Sequence, residues 1–319
     1  MQATVIKSTG SWYTVLTKEG DRLECRIKGR FRMDGIKSTN PVAVGDQVMV
    51  DLDKGVTLAD ALANQGKGII TQILPRKNYI IRRSINLSKQ SHILAANIDQ
   101  AYLVVTLASP RTSLGFIDRF LLTAEAYGIP VTILFNKSDL YGQEGMAYVA
   151  ELKALYEKLG YTCHLVSAIG ANSEMDFLRE QMKGRINFFS GHSGVGKSTL
   201  INALDPSFSL RVGELSGAHD KGMHTTTFAE MFELKGGGFV IDTPGIKELG
   251  IVDMEKEELA HFFPEMRSRI NDCRFNNCRH INEPNCAVIE AVRTGEIAES
   301  RYASYLGIMS GEELEKEYE

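Results

Sequence analysis

Three short motifs stand in an order that few sheets can accommodate. Asn136-Lys137-Ser138-Asp139 comes first, Gly191-His192-Ser193-Gly194-Val195-Gly196-Lys197-Ser198 second, and Asp242-Thr243-Pro244-Gly245 last. Each follows an apolar run, residues 131–135, 186–189 and 239–241, so each reads as the loop at a strand end. The middle motif is a GxxxxGKS turn, which needs a strand before it and a helix after it. Residues 199–204 supply the helical pattern. Nucleotide-binding sheets with these loops ordinarily place the phosphate turn first. Here it comes second, so the domain is expected to be a circular permutation.

The first motif selects the base. Guanine offers an N1–H and an exocyclic amino group on one edge, and a carboxylate such as Asp139 can accept both. Adenine presents an acceptor at that ring position and is repelled. Asn136 is expected to brace the loops and the base, with the stem of Lys137 lying over the ring. Ser167-Ala168 follows the strand-like residues 161–166 and fits the short loop that packs under the base.

The second motif holds phosphate. Backbone N–H groups along Gly191, His192, Ser193, Gly194, Val195 and Gly196, with Thr199 in the following turn, face an anion at a helix N-terminus. Gly191 and Gly196 permit close backbone approach. Lys197 should reach the β/γ-phosphates and Ser198 should ligate Mg²⁺. Asp242 should hold the same ion through water, and the Gly245 N–H should sense the γ-phosphate. GTP with magnesium is the expected ligand.

Residues 217–227 form a polar, glycine-punctuated stretch that suits a mobile switch with a magnesium-binding threonine. Thr225, Thr226 and Thr227 are equivalent candidates. Ile246 follows Asp242-Thr243-Pro244-Gly245, where a water-orienting glutamine can stand in related enzymes. An apolar side chain cannot position water, so turnover is slow alone or a partner or another residue such as His224 helps. A plain loop role for His224 is the alternative.

Hydrophobic residues make up 43% and charged residues 24% of the chain, as in ordinary globular proteins. No apolar run reaches the roughly 18 residues of a membrane span, and no leader pattern opens the chain. A cytoplasmic setting is expected, where structural disulfides are rare. The five cysteines are then thiols or metal ligands. Cys25 and Cys163 lie in apolar strand patterns and read as core. Cys273, Cys278, His280 and Cys286 have the spacing of a closed Cys₃His site for one zinc per chain. The net charge of −4 does not advertise a nucleic-acid binder. Phosphate contacts would come from local groups: Lys28, Arg30 and Arg32; Arg82 and Arg83; Arg267, Arg269, Arg274 and Arg279.

The expected architecture is multi-domain. Residues 1–73 carry five short alternating segments (4–7, 12–17, 23–27, 47–51, 69–73) that suit an OB-type β-barrel, a fold that often binds RNA. Residues 54–68 read as a glycine-containing loop within it. Residues 74–94 read as a polar, basic linker containing Arg76. Residues 95–255 alternate strand and helix, giving a parallel sheet covered on both faces, the permuted P-loop domain. Residues 256–319 read as mostly helical around the zinc ligands, ending in an acidic tail.

A barrel, then the three motifs in rotated order, then CxxxxCxH…C together resemble the RsgA family of small-ribosomal-subunit biogenesis GTPases across essentially the whole chain. The stretch Lys221 to Thr227 is similar to that family's Lys-Gly-x-His-Thr-Thr-Thr, whereas the long loop at 54–68 departs from its barrel. The resemblance implies a monomeric, cytoplasmic GTPase that cycles between GTP and GDP. It also implies binding to the 30S subunit and its 16S rRNA late in maturation, with hydrolysis stimulated by the subunit. Two other classes are weighed against this. A metabolic nucleotide kinase leaves Asp139 and the zinc ligands unexplained; a nucleic-acid-binding module would use GTP only as a switch, without turnover.

Overall fold

Alternation decides the N-terminal region. In β1 (Gln2–Ser8), β2 (Tyr13–Thr17) and β3 (Arg22–Ile27) buried side chains alternate with exposed or half-exposed ones, except where β1 bulges between Val5 and Lys7. The computed structural model describes residues 1–27, 41–52, 57–63, 67–83, 91–169, 173–208, 230–242 and 254–311. β4 (Gln47–Leu52) and β5 (Lys67–Ile73) complete a five-stranded ring in the order β1-β2-β3-β5-β4, closed by β1 pairing with β4. Val5, Val15, Leu23, Cys25, Val48, Val50 and Ile70 fill its interior. Gly68 has no room for a side chain: a Cβ there would lie 2.6 Å from Cys25 Sγ and 2.8 Å from Leu23 Cδ2.

Two expectations need correction here. The loop read at 54–68 contains a helix, α1 (Leu58–Ala63), whose Ala61 packs into the barrel core. It starts with a reciprocal cap, Asp60 N–H to Thr57 Oγ1 at 3.2 Å and Thr57 N–H to Asp60 Oδ2 at 3.1 Å. The segment read as a linker contains an antiparallel hairpin, β6 (Tyr79–Arg83) with β7 (Ser91–Ala96). The Arg76 side chain, in the same segment, is buried. Its guanidinium clasps the buried Asp46 carboxylate with two bonds of 2.6 Å and donates to the Pro41 carbonyl.

The barrel joins the next unit without a break. Gly45 donates to Val5 O at 2.8 Å, Ala96 donates to Val44 O at 2.8 Å, and Asn97 Nδ2 donates to Gly45 O at 2.9 Å. Gly45 has φ +89°, and a Cβ on it would lie 2.0 Å from Ala96 O. Strands β8 (Gln100–Val105), β9 (Val131–Phe135), β10 (Thr162–Leu165), β11 (Ile186–Ser190) and β13 (Phe239–Asp242) form a parallel array ordered β10-β9-β8-β11-β13. β12 (Glu230–Glu233) adds antiparallel to β13 and touches β1 at Lys7 and Glu230, which also form an ion pair of 3.0 Å.

Both faces of β8 and β9 are covered, which is why those strands read as continuous apolar runs. On one face Leu103, Val105, Ile133 and Phe135 meet α2 (Leu114–Ala126) and α3 (Gln143–Lys158). On the other, Tyr102, Val104 and Leu134 meet α4 (Ser173–Met182) and α5 (Lys197–Leu204).

The C-terminal part contains α6 (Pro264–Arg267), α7 (Ala287–Arg293) and α8 (Glu299–Ser310) around Phe263, Met266, Val288 and Tyr305. It is fastened to α2 through a buried ionic cluster. Arg301 donates to Asp118 Oδ1 at 2.7 Å and to Glu265 Oε1 at 2.6 Å, and Tyr156 Oη donates to the same Asp118 oxygen at 2.9 Å. Among the described residues no helix is long and apolar enough to cross a membrane.

Candidate functional site

β9 and β11 both neighbour the central β8 on its two sides, so their C-terminal loops open at the same edge of the sheet. This is where an open α/β sheet presents its ligand loops. Gly191 leaves β11 with φ +143°, and a Cβ there would stand 2.2 Å from Val104 O. Gly196, at φ +94°, caps the N-terminus of α5 and lies against the first motif: a Cβ on it would be 2.6 Å from Asn136 Nδ2. The buried Asn136 donates from Nδ2 to Val195 O at 2.8 Å, across 59 positions of sequence. The two motifs therefore share one hydrogen-bonded wall.

Lys197 is buried, and Nζ donates to the carbonyls of Gly191 and His192, each at 2.6 Å. The chain of the phosphate loop thus circles the ammonium group. Ser198 is buried one residue further along α5. The His192 ring lies on Phe116 of α2, with centroids 3.8 Å apart. Beyond β9, Lys137 adopts a left-handed φ of +61°, and its Nζ donates to Ser109 O. Ser167 Oγ donates to Asp139 Oδ1 at 2.5 Å, and the same hydroxyl oxygen accepts the Ile169 N–H at 3.1 Å. Ser167 thereby orients the carboxylate and shapes its own loop.

Tyr141 carries no motif signature, and reading the sequence alone misses it. Its hydroxyl donates to Asn136 O and accepts the Leu107 N–H. Asp242 ends β13, and its side chain is not described. The expectations for His224, Thr225, Thr226, Thr227, Gly245 and Ile246 lie outside the described residues, as do those for Lys28, Arg30 and Arg32.

Burial pushes the Lys197 ammonium down to about 8. A bound phosphate favours the charged form and raises it again. Below that value the free lysine is already charged and affinity should be flat. Above it binding must take up a proton, so affinity should fall, steepening toward about tenfold per pH unit. Calorimetric GDP titrations between about pH 7 and 8.5, below guanine N1 ionisation, should show the fall and the proton uptake; constant affinity would refute it.

Cys273, Cys278, His280 and Cys286 come together in the C-terminal part, with ligand atoms all within 4.8 Å of one another. Cys273 Sγ and Cys286 Sγ are 3.9 Å apart, and His280 Nδ1 lies 3.6 and 3.3 Å from them. A tetrahedron with metal–sulfur bonds of about 2.3 Å has S···S edges of about 3.8 Å, so the set has the size of a zinc site. Cys286 caps α7, accepting the Ile289 N–H. Tyr302 and Tyr305 hold the loop by donating to His280 O and Arg279 O, both at 2.7 Å.

Among the described side chains, two of the arginines proposed to touch phosphate are engaged within the protein. Arg267 pairs with Glu125 and Arg269 with Glu296. Arg274, whose guanidinium lies 5.5 Å from the Phe275 ring centroid, and Arg279 are exposed on the loop that carries Cys273, Cys278 and His280.

An OB-type barrel, a parallel sheet with an Asn-Lys-x-Asp loop ahead of its phosphate loop, and a Cys₃His module define a circularly permuted P-loop GTPase. The chain belongs to the RsgA GTPase family: that family's model matches residues 73–252, and the RsgA N-terminal domain matches residues 2–57. It is 54% identical to the small ribosomal subunit biogenesis GTPase RsgA of Bacteroides fragilis, covering 98% of this chain and 97% of that one. The RsgA of Christiangramia forsetii is likewise 54% identical over the same shares. The crystal structure of YjeQ from Thermotoga maritima superposes with a TM-score of 0.76 at 36% identity, covering 97% of both chains. YloQ, described as a circularly permuted GTPase, gives 0.72 at 29% identity, covering 97% of this chain and 94% of that one.

Proposed function

We propose that this GTPase acts in the cytoplasm, as a monomer, in late maturation of the small ribosomal subunit, binding its 16S rRNA and releasing it as GTP becomes GDP. The observation that carries the nucleotide half is the bond from Asn136 to the Val195 carbonyl, which sets a guanine-reading carboxylate beside a phosphate loop. Asp139, held by Ser167, accepts from the guanine edge, and Lys137 and Ala168 bracket the base. The N–H groups from Gly191 through Thr199 and the Lys197 ammonium take the phosphates. Ser198 and Asp242 would hold magnesium, which would supply neutralisation of phosphate charge. Residues 1–73, 95–255 and 256–319 are the three working units, with the 74–94 hairpin region tying the first to the second.

The ribosomal half is supported by the names of the relatives and by the exposed Arg274 and Arg279. Cosedimentation tests it: the protein should pellet with purified 30S subunits in the presence of a non-hydrolysable GTP analogue and stay behind with GDP. Equal partition under both conditions would sink the reading.

Cys273, Cys278, His280 and Cys286 hold one zinc, which links the loop to α7 when bound. Elemental analysis should find about one equivalent per chain. Cys278→Ser should lower it and make the C-terminal part easier to cleave by protease; unchanged zinc in a Cys273/Cys286 double variant would place the ligands elsewhere.

A further inference from the structure

Tyr141 does something that no motif requires. It follows the short 3-10 turn Ser138–Leu140, and its own N–H bonds back to Ser138 O at 3.2 Å. Its ring lies along the first turn of α3, where Gly145 leaves space: a Cβ there would meet Tyr141 Cβ at 3.4 Å and Leu107 Cδ1 at 3.6 Å. The hydroxyl then reaches back across the loop to donate to Asn136 O while accepting the Leu107 N–H at 3.2 Å. Burial, with a contribution from the Asp139 charge, raises the phenol above its ordinary value, against the bond from Leu107, so it keeps the proton it donates.

What lies at the other end of that tie matters. Leu107 opens the loop that follows β8. In this loop Ser109 O receives the Lys137 ammonium, and Pro110 Cδ lies 3.3 Å from where a Cβ on Gly194 would stand. The loop is itself closed by Thr112 N–H to Thr106 O at 2.8 Å and by Thr106 N–H to Thr112 Oγ1 at 3.1 Å. One hydroxyl therefore joins the base-reading loop to a closed loop that abuts the phosphate loop. Lys137 sits between them in a left-handed conformation, which a non-glycine residue keeps only where its surroundings hold it there. Tyr141 and Ser109 provide that hold from its two sides.

We propose that Tyr141 is a positioning residue for guanine binding, which fixes Asn136 and Lys137 in register with the phosphate loop. The proposal rests on reading residues 136–139 as the guanine loop. It makes the tyrosine a contributor to base affinity without contact to the base. Phosphate binding, built on Lys197 and the N–H groups from Gly191 through Thr199, does not depend on it.

Tyr141→Phe removes the hydroxyl and leaves the ring against Gly145, so the fold is kept. Calorimetry with GDP, ADP and inorganic pyrophosphate on the wild type and the variant separates the possibilities. The variant should bind GDP about three- to tenfold more weakly, the worth of one ordinary hydrogen bond, and pyrophosphate as the wild type does. GDP affinity unchanged, or GDP and pyrophosphate weakened together, would overturn the positioning role, since a general loosening of the site affects both. A wild type that binds ADP as tightly as GDP would instead overturn the guanine reading, and the role of Tyr141 with it.

Discussion

GTP turnover should rise by about 10³- to 10⁵-fold when purified 30S subunits are added, the range that positioning supplied in trans gives related NTPases. The physical reason lies in the residue after the third motif. Ile246 follows the Asp242-Thr243-Pro244-Gly245 motif and has no atom that can orient water. Unless another residue such as His224 directs the nucleophile, the free protein should be slow. Deleting residues 1–73 is a poor test of where the subunit docks. It removes Asp46 from the buried Arg76 and uncovers the seam at Ala96 and the edge of β12. Substituting Arg274 and Arg279 by alanine leaves those interactions alone. Stimulation should weaken in that variant, and its decline with rising salt should become shallower, by about one unit of log–log slope for each arginine–phosphate pair removed. A full-length protein whose turnover ignores 30S would remove the ribosomal reading; a double variant stimulated like wild type would move the docking surface elsewhere.

Arg301→Ala should destabilise the fold by about 3–5 kcal/mol, because it leaves two buried carboxylates without their cation. The Arg301 side chain is 2% exposed, that of Asp118 1% and that of Glu265 7%. Burial raises the Asp118 carboxyl even beside Arg301. Losing the guanidinium, which lowers it, raises it further. The deficit should be largest at neutral pH and shrink in acid, where the carboxyl is neutral in both states. Thermal unfolding of Arg301→Ala at neutral and acid pH checks both points. A loss under about 1 kcal/mol, as for a solvated pair, would show that water reaches the cluster.

Much of the site is legible in the sequence because its chemistry is local. A phosphate turn must carry its glycines and lysine within one short stretch, and an Asn-Lys-x-Asp loop must follow its strand directly. The same holds for the Cys₃His cluster between Cys273 and Cys286, and for the barrel strands, where burial follows the period of two. The errors share a cause as well. The helix α1 is announced only by its Thr57–Asp60 cap, which lies inside a stretch that reads as a glycine-containing loop. The hairpin β6–β7 is hidden by basic residues that make 74–94 look solvated.

The sequence by itself determined the kind of nucleotide domain, the rotated order of its loops and the Cys₃His cluster, since each depends on neighbours along the chain. Only the tertiary structure decided which groups meet from far apart: Asp118 with Arg301 across 183 positions, Arg76 with Asp46 across 30, and Tyr141 with Leu107 across 34. Such partners leave no periodic or spaced signature. A buried charge or hydroxyl needs a counterpart for energetic reasons, but which counterpart it finds depends on how the strands and helices pack, and that is settled when the sheet closes around β8.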